Sequence, residues 1–178
     1  MVITICELAV MAAPGEGGSG GVVQVGTSAS GTTVQLTTTL SGTQANVYAV
    51  AGTVDGDLTL PPAFQVAAPF GTHIGGVNPA FFAAMPTSEY DSWLTVGPTD
   101  GTAGSAISSI GVDLDSWSDT VGVSSNNGAV FWMNPSDGPS GTVTIAQITN
   151  AGSGTASAIL QGRSTAGEDY QSAVTWSW

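Results

Sequence analysis

Residues 32–40 read Thr32-Thr33-Val34-Gln35-Leu36-Thr37-Thr38-Thr39-Leu40. Val34, Leu36, Thr38 and Leu40 point one way; Thr33, Gln35, Thr37 and Thr39 point the other. That period-2 alternation is a half-buried β-strand with a Thr-rich outer face. Further strands are expected near 45–52, 90–96, 106–113, 120–124, 128–133, 141–149, 154–162 and 170–178. The last of these sets Tyr170, Ser172, Val174, Trp176 and Trp178 on one face. Asn150-Ala151-Gly152-Ser153 between two such runs predicts a hairpin. Short strands at about 8–12-residue spacing with Gly-rich turns imply an all-β fold, an antiparallel β-sandwich of jelly-roll-like type.

Between the strands the text changes once. From 68 to 88 the chain is rich in aromatics, Gly and Pro: Pro69, Phe70, Gly71, His73, Gly75, Gly76, Pro79, Phe81, Phe82 and Pro86. A segment this long inside a compact domain is functional or a packed crossover. We expect a crossover with buried aromatics and one helical turn within 78–85, started by Pro79. Upstream, 14–21 is a Gly/Ser linker by composition. It separates an N-terminal strand or extension, 1–13, from a sandwich domain, 22–178. The apolar run at 2–13 lacks a cationic flank, is interrupted by Glu7 and is too short to span a bilayer.

Charge narrows the function. Arg163 is the single Arg or Lys against thirteen acids, for a net charge of -12. Nucleic-acid binding is excluded, because phosphate neutralisation needs clustered Lys and Arg. Binding to anionic lipid is disfavoured for the same reason, and no membrane insertion is expected. With 42% apolar residues the acidity does not signify disorder. One cysteine, Cys6, rules out an internal disulfide. The lack of Lys suits an extracellular or high-salt setting, and the localisation expected is extracellular or at the cell surface. Arg163 is expected to pair with Glu168 or Asp169 and, if buried, to matter far more than a typical surface residue.

The motifs with chemistry are few. Residues 15–20 fit a dinucleotide-type glycine pattern and 17–21 a nucleophile-elbow pattern, both by low complexity. Either motif needs a helix after it, whereas Gly21-Val22-Val23-Gln24-Val25 reads as strand. His73 is the single histidine, so any hydrolytic triad would need it; a loop-bracing role is expected instead. Glu89 and Asp91, on one face of a strand about 6.5–7 Å apart by strand rise, have the spacing of a glycosidase pair. That spacing is similar to the E-x-D core of laminarinase-like jelly-roll hydrolases, but the second catalytic Glu of that pattern has no counterpart in Ser92-Trp93-Leu94-Thr95. Asp55 with Asp57 and Asp113 with Asp115 offer hard oxygen ligands for a structural Ca²⁺. Trp93 and Trp117, each after an Asp-Ser pair, are candidates for a rim that stacks on sugar rings, with Glu89 and Asp91 beside them. Trp132, inside an apolar run, is expected in the core. The Thr face does not continue into other strands as an ice-binding array would require.

A block from about 44 to 178 carries a resemblance. Its landmarks are Asn78-Pro79-Ala80-Phe81-Phe82, Glu89-Tyr90-Asp91-Ser92-Trp93-Leu94-Thr95-Val96-Gly97, Ile110-Gly111-Val112-Asp113 and Asn127-Gly128-Ala129-Val130-Phe131-Trp132. Gln147-Ile148-Thr149, Leu160-Gln161-Gly162-Arg163 and Glu168-Asp169-Tyr170-Gln171 complete it. The block resembles uncharacterised, often tandemly repeated β-rich modules of surface or secreted proteins of marine phytoplankton and aquatic bacteria. The resemblance implies an extracellular structural or adhesive role and carries no catalytic residues. The expectation is therefore a non-enzymatic structural or self-assembly module of a cell surface or filament, partnered by itself or by a surface glycan. In that setting residues 1–13 could be donated as a strand to a neighbouring subunit, with 14–21 as tether. A Ca²⁺-stabilised carbohydrate-binding module is the alternative, and a glycan-active hydrolase the third.

Overall fold

The computed structural model describes residues 19–102 and 104–178. The expected strand at 1–13 and residues 14–18 lie outside the described residues, while Ser19, Gly20 and Gly21, where the two glycine motifs end, are in a β-strand and not before a helix. Eleven strands are formed among the described residues. They are β1 (Ser19–Ser28), β2 (Gly31–Thr39), β3 (Ala49–Gly52), β4 (Leu58–Leu60), β5 (Trp93–Leu94), β6 (Ile107–Ile110), β7 (Val123–Ser125), β8 (Gly128–Trp132), β9 (Thr142–Asn150), β10 (Thr155–Arg163) and β11 (Asp169–Ser177). Residues 19–21, assigned by composition to the linker, belong to β1, where pairing with Thr37, Thr38 and Thr39 of β2 orders them.

Two antiparallel sheets pack as a β-sandwich. The first has the order β1-β2-β9-β5. In the second, β10 pairs with β11 along one edge and with β3 and β4 along the other. Beyond them lie β8 and β7, with β6 outside β8. β3 and β4 are therefore two halves of one strand, broken by an excursion at 53–57. β7 and β8 are likewise one strand broken at Asn126-Asn127. Both breaks fall at the same level, where Gly52 faces Gly128.

The alternation in β2 and β11 is observed. Val34 and Leu36 in β2, and Val174 and Trp176 in β11, are buried in a common core with Val50, Leu58, Val130, Ile148 and Leu160. Across β2 the bulk of the stabilisation comes from apolar contact, at about 25 cal/mol per Å² removed from water. The indole N–H of Trp176 donates to Thr37 O at 2.7 Å, which satisfies its one polar atom.

Two expectations fail here. The turn at 150–153 does not make a hairpin: β9 lies in the first sheet and β10 in the second. Both strands are buried along most of their length, so each needs neighbours on both edges, and the chain arches between the sheets instead. The crossover, 61–92, does carry the chain from β4 in the second sheet to β5 in the first. Its aromatics are not in the core, however. Phe81 is exposed and packs edge-on against half-buried Phe70, ring centres 5.7 Å apart. The expected helical turn exists as a 3₁₀ turn, Pro79–Phe81, capped by Asn78, whose side chain accepts from Ala80 N.

Gly52 marks how tightly the two broken strands meet. A Cβ at that position would stand 1.7 Å from Ser125 O. Gly52→Ala must therefore move backbone, and overpacking of this kind costs about 1–3 kcal/mol. Chemical denaturation should show a loss of stability of that size; an unchanged midpoint would contradict the strand pairing described.

Candidate functional site

The outer face of the first sheet is polar where it meets the crossover. Thr33 and Thr149 face each other across β2 and β9, and their hydroxyls bond at 2.7 Å. Gln35 faces Gln147, donating Nε2 to its Oε1 at 3.1 Å. Gln147 then donates twice into the crossover, to Glu89 O at 3.0 Å and Asp91 O at 2.8 Å. Ser92 Oγ accepts from Thr149 N at 3.0 Å. These bonds lie in register because Trp93 and Leu94 pair with Gln147 and Ala146. Leu94 turns into the core, while Trp93 turns outward beneath the crossover and is still only 2% exposed.

Asp91 closes the arrangement. Its residue is fully buried, and its two oxygens accept from Val66 N at 2.7 Å and Thr72 N at 2.8 Å. One carboxylate thus ties three separate stretches of the crossover together. Burial pushes the Asp91 carboxyl up, from the ordinary 3.8 to about 6, against the opposing pull of the Thr72 and Val66 N–H groups.

Alongside lies a cleft of about 250 Å³ between the β1–β2 surface and the crossover. Gly26, Gln35, Ser88, Glu89, Tyr90 and Asp100 are among its walls. Gly26 admits the Tyr90 ring, since a Cβ there would lie 3.0 Å from it. Glu89 belongs to the 3₁₀ turn Pro86–Tyr90 and is exposed. Asp100 accepts the amide and the hydroxyl of Thr102, both on Oδ1, and these bonds keep its carboxyl below the ordinary value.

The structure scatters most of the residues singled out from sequence. Glu89 and Asp91 do not share a strand face, because the backbone at 86–90 is a 3₁₀ turn and Asp91 is its buried C-cap. Asp91 therefore presents nothing to a substrate, which removes the geometry of the glycosidase pair. Trp93 and Trp117 do not form a rim: each is 2% exposed, although Trp93 and Glu89 border the same cleft. The Trp117 indole donates to Pro61 O at 2.9 Å, underneath the start of the crossover. Trp132, expected in the core, is only half-buried. Alternating small polar and acidic neighbours suggested a surface for the two buried indoles, but the crossover supplies the lid that sequence spacing does not reveal.

Asp55 and Asp57 sit on the 53–57 excursion and are not brought together with Asp113 and Asp115, which lie between β6 and β7. Asp113 commits its carboxylate to Ser116, accepting Oγ at 2.6 Å and N at 3.2 Å. Among the described residues no group of three or more His, Cys, Asp and Glu comes together as a metal site. His73 Nε2 lies 3.9 Å from Asp115 Oδ1 on the surface.

Arg163 pairs across the β10–β11 hairpin with Asp169, Nε to Oδ1 at 3.6 Å, and donates from its guanidinium to Gly167 O at 3.3 Å. Glu168 is not its ion-pair partner; its amide donates to Ser164 Oγ. The two paired side chains are 38% and 42% exposed, so the pair contributes about 1 kcal/mol or less. This is smaller than the lone cation suggested. The more consequential bracket beside it escaped sequence reasoning. Asn46 Oδ1 accepts from Arg163 N at 2.9 Å, Asn46 Nδ2 donates to Pro135 O at 3.0 Å, and Asn46 O accepts from Tyr170 OH at 2.7 Å. Burial raises the Tyr170 phenol to about 12.

Comparison with protein-family models, with characterised proteins and with solved structures finds no match to this chain.

The Asp91 geometry makes a pH-dependent prediction. A carboxyl whose folded pKa is raised stabilises the fold fully below its unfolded value near 3.8 and loses that contribution as pH rises through about 6. Asp91→Asn turns an amide N–H₂ toward a backbone N–H and should cost about 1–3 kcal/mol. The advantage of the natural protein over Asp91→Asn should be larger at pH 4 than at pH 7. Urea titrations at both pH values measure it; a gap that widens toward pH 7 would mean that the two N–H bonds outweigh burial.

Proposed function

We propose that this is a non-enzymatic structural module that associates with copies of itself through the edge of β1, in an extracellular or cell-surface setting. One observation carries the proposal. Among the described residues β1 is hydrogen-bonded on one side only, by β2, and its other edge carries no charge or Pro, with β11 packed near Gly20 and the Tyr90 ring against Gly26. Proteins that stay monomeric usually guard such an edge with Lys, Pro or a cover. Here β1 and β2 have no charged residue between them. Val23 and Val25 add apolar area at 52% and 48% exposure.

A second copy is the occupant best suited to this edge. An antiparallel β1–β1 pairing is self-complementary, the requirement of a two-fold interface. It would satisfy main-chain donors and acceptors and cover the two valines from both sides. A bulge between Gln24 and Gly26 interrupts the register with β2 and locally twists the strand, which directs pairing to one half of it. Neither β1 nor β2 carries a charge that would oppose pairing locally, and the repulsion between two copies of net charge -12 makes the association strengthen with salt.

Light scattering of the full chain, with and without millimolar Ca²⁺, tests this. A mass above the monomer is expected, reduced to the monomer by Val23→Lys with Val25→Lys. Removal of residues 1–18 should leave the mass unchanged if β1 pairs with β1, and should abolish association if the N-terminal segment is donated instead. A natural chain that stays monomeric as its concentration rises would overturn the proposal.

A further inference from the structure

We infer that the Arg163–Ser164 bond is a gated processing site for an endoprotease of trypsin type, closed by Asn46 and opened only when the β10–β11 turn comes away from it. The site is separate from the β1 edge proposed for self-association and does not depend on it. Arg163 is the single Arg or Lys of the chain. A protease that reads a basic side chain through a carboxylate in its specificity pocket therefore has one bond to cut. The flanking sequence suits such a cleft. Gln161-Gly162-Arg163-Ser164-Thr165-Ala166-Gly167 contains no Pro, and none of the thirteen acids lies nearer to Arg163 than Glu168. Residues 165–168 are an exposed hairpin tip, the kind of place where nicking concentrates.

The tip is open, but the bond is not. Arg163 N donates to Asn46 Oδ1 at 2.9 Å, and Arg163 O accepts from Ala45 N at 2.8 Å and Asn46 N at 3.2 Å. Ser164 N donates to Glu168 O at 2.8 Å, Ser164 O accepts from Gly167 N at 2.9 Å, and Thr165 N donates to Thr43 O at 2.7 Å. An extended peptide binds a partner through these same main-chain groups, and here each of them is taken. The guanidinium is held as well, beside Asp169 and Gly167 O. Asn46 joins the turn to the rest of the fold, since its Nδ2 donates to Pro135 O and its O accepts from Tyr170 OH. Cutting thus requires 43–46 and 163–170 to separate first, a local opening and not an exposed bond.

The reaction is hydrolysis through the serine of the protease. Its oxygen bonds to the Arg163 carbonyl carbon, the bond to Ser164 N breaks and that nitrogen takes the proton; water then releases the Arg163 carboxylate. All of β11 lies on the C-terminal side of the cut. It pairs with β10 along its whole length, carries Val174 and Trp176 of the core, and reaches Thr37 O of β2 through the Trp176 indole. One cut leaves a complete edge strand held by non-covalent contacts alone.

Trypsin digestion of the full chain, read by mass spectrometry, tests the inference. The unfolded chain should give two products, 1–163 and 164–178, while the folded natural chain stays whole over the time that cuts the unfolded chain to completion. Asn46→Ala removes the bonds to Arg163 N and Pro135 O and should speed that single cut of the folded protein at least about tenfold. Gly52→Ala, at the far end of β3, is the control for lost global stability. Asn46→Ala should be cut faster than its denaturant stability, set against that of Gly52→Ala, accounts for. A folded natural chain cut as fast as the unfolded one overturns the inference. So does an Asn46→Ala rate that follows global stability as the Gly52→Ala rate does.

Discussion

The buried carboxylate of Asp91 and the amide of Gln147 fasten the crossover to the first sheet, and most of the molecule's shape depends on that attachment. Backbone bonds add to it, Phe64 N to Thr149 O and Gly75 N to Leu94 O, both at 2.8 Å, and the segment forms a third layer over the sandwich. Asp91 gathers Val66, Thr72 and the start of β5 around one side chain, and Gln147 reaches the same point from β9. The layer buries Trp93, sets Ser88 against the cleft and places Glu89 at the mouth.

This arrangement is a response to charge scarcity. A chain with one Arg and no Lys cannot neutralise buried acids with ion pairs. It uses backbone N–H groups on Asp91, Thr–Thr and Gln–Gln pairs across β2 and β9, and the Asn46 side chain between β10 and the 3₁₀ turn Pro135–Asp137. Each such bond is worth only about 0.5–1.5 kcal/mol net, but each is costly to leave unmade. In this layer Ser92, Gln147 and Thr149 are satisfied, whereas Ser88 Oγ, both polar atoms of the Gln65 side chain and His73 Nδ1 have no protein partner.

The sheets were legible in the sequence wherever one face was wet and the other dry. β2 and β11 alternate cleanly, so their inward residues could be named. The block 141–162 was legible as two strands but not as two sheets, since turn residues such as Asn150 and Gly152 report a reversal and not its destination. The candidate site was poorly legible. Glu89 and Asp91 looked like strand neighbours because Tyr90, Trp93 and Leu94 favour β structure, while Pro86 and the hydrogen bonds on Asp91 impose a 3₁₀ turn. Trp93 and Trp117 looked peripheral because a crossover folding back over them leaves no local trace. Asn46 and Gln147 gave no signal at all, as their partners lie far away in sequence.

Amide hydrogen exchange at Val66, Thr72 and Thr149 tests the central claim most directly. If Asp91 and Ser92 fasten the crossover as a structural layer, the Val66 and Thr72 amides exchange as slowly as the Thr149 amide on the central strand β9, which Ser92 holds. Rapid exchange of Val66 and Thr72 while the β9 amides stay protected would mean that the crossover opens independently, and the account of a three-layered molecule would be contradicted.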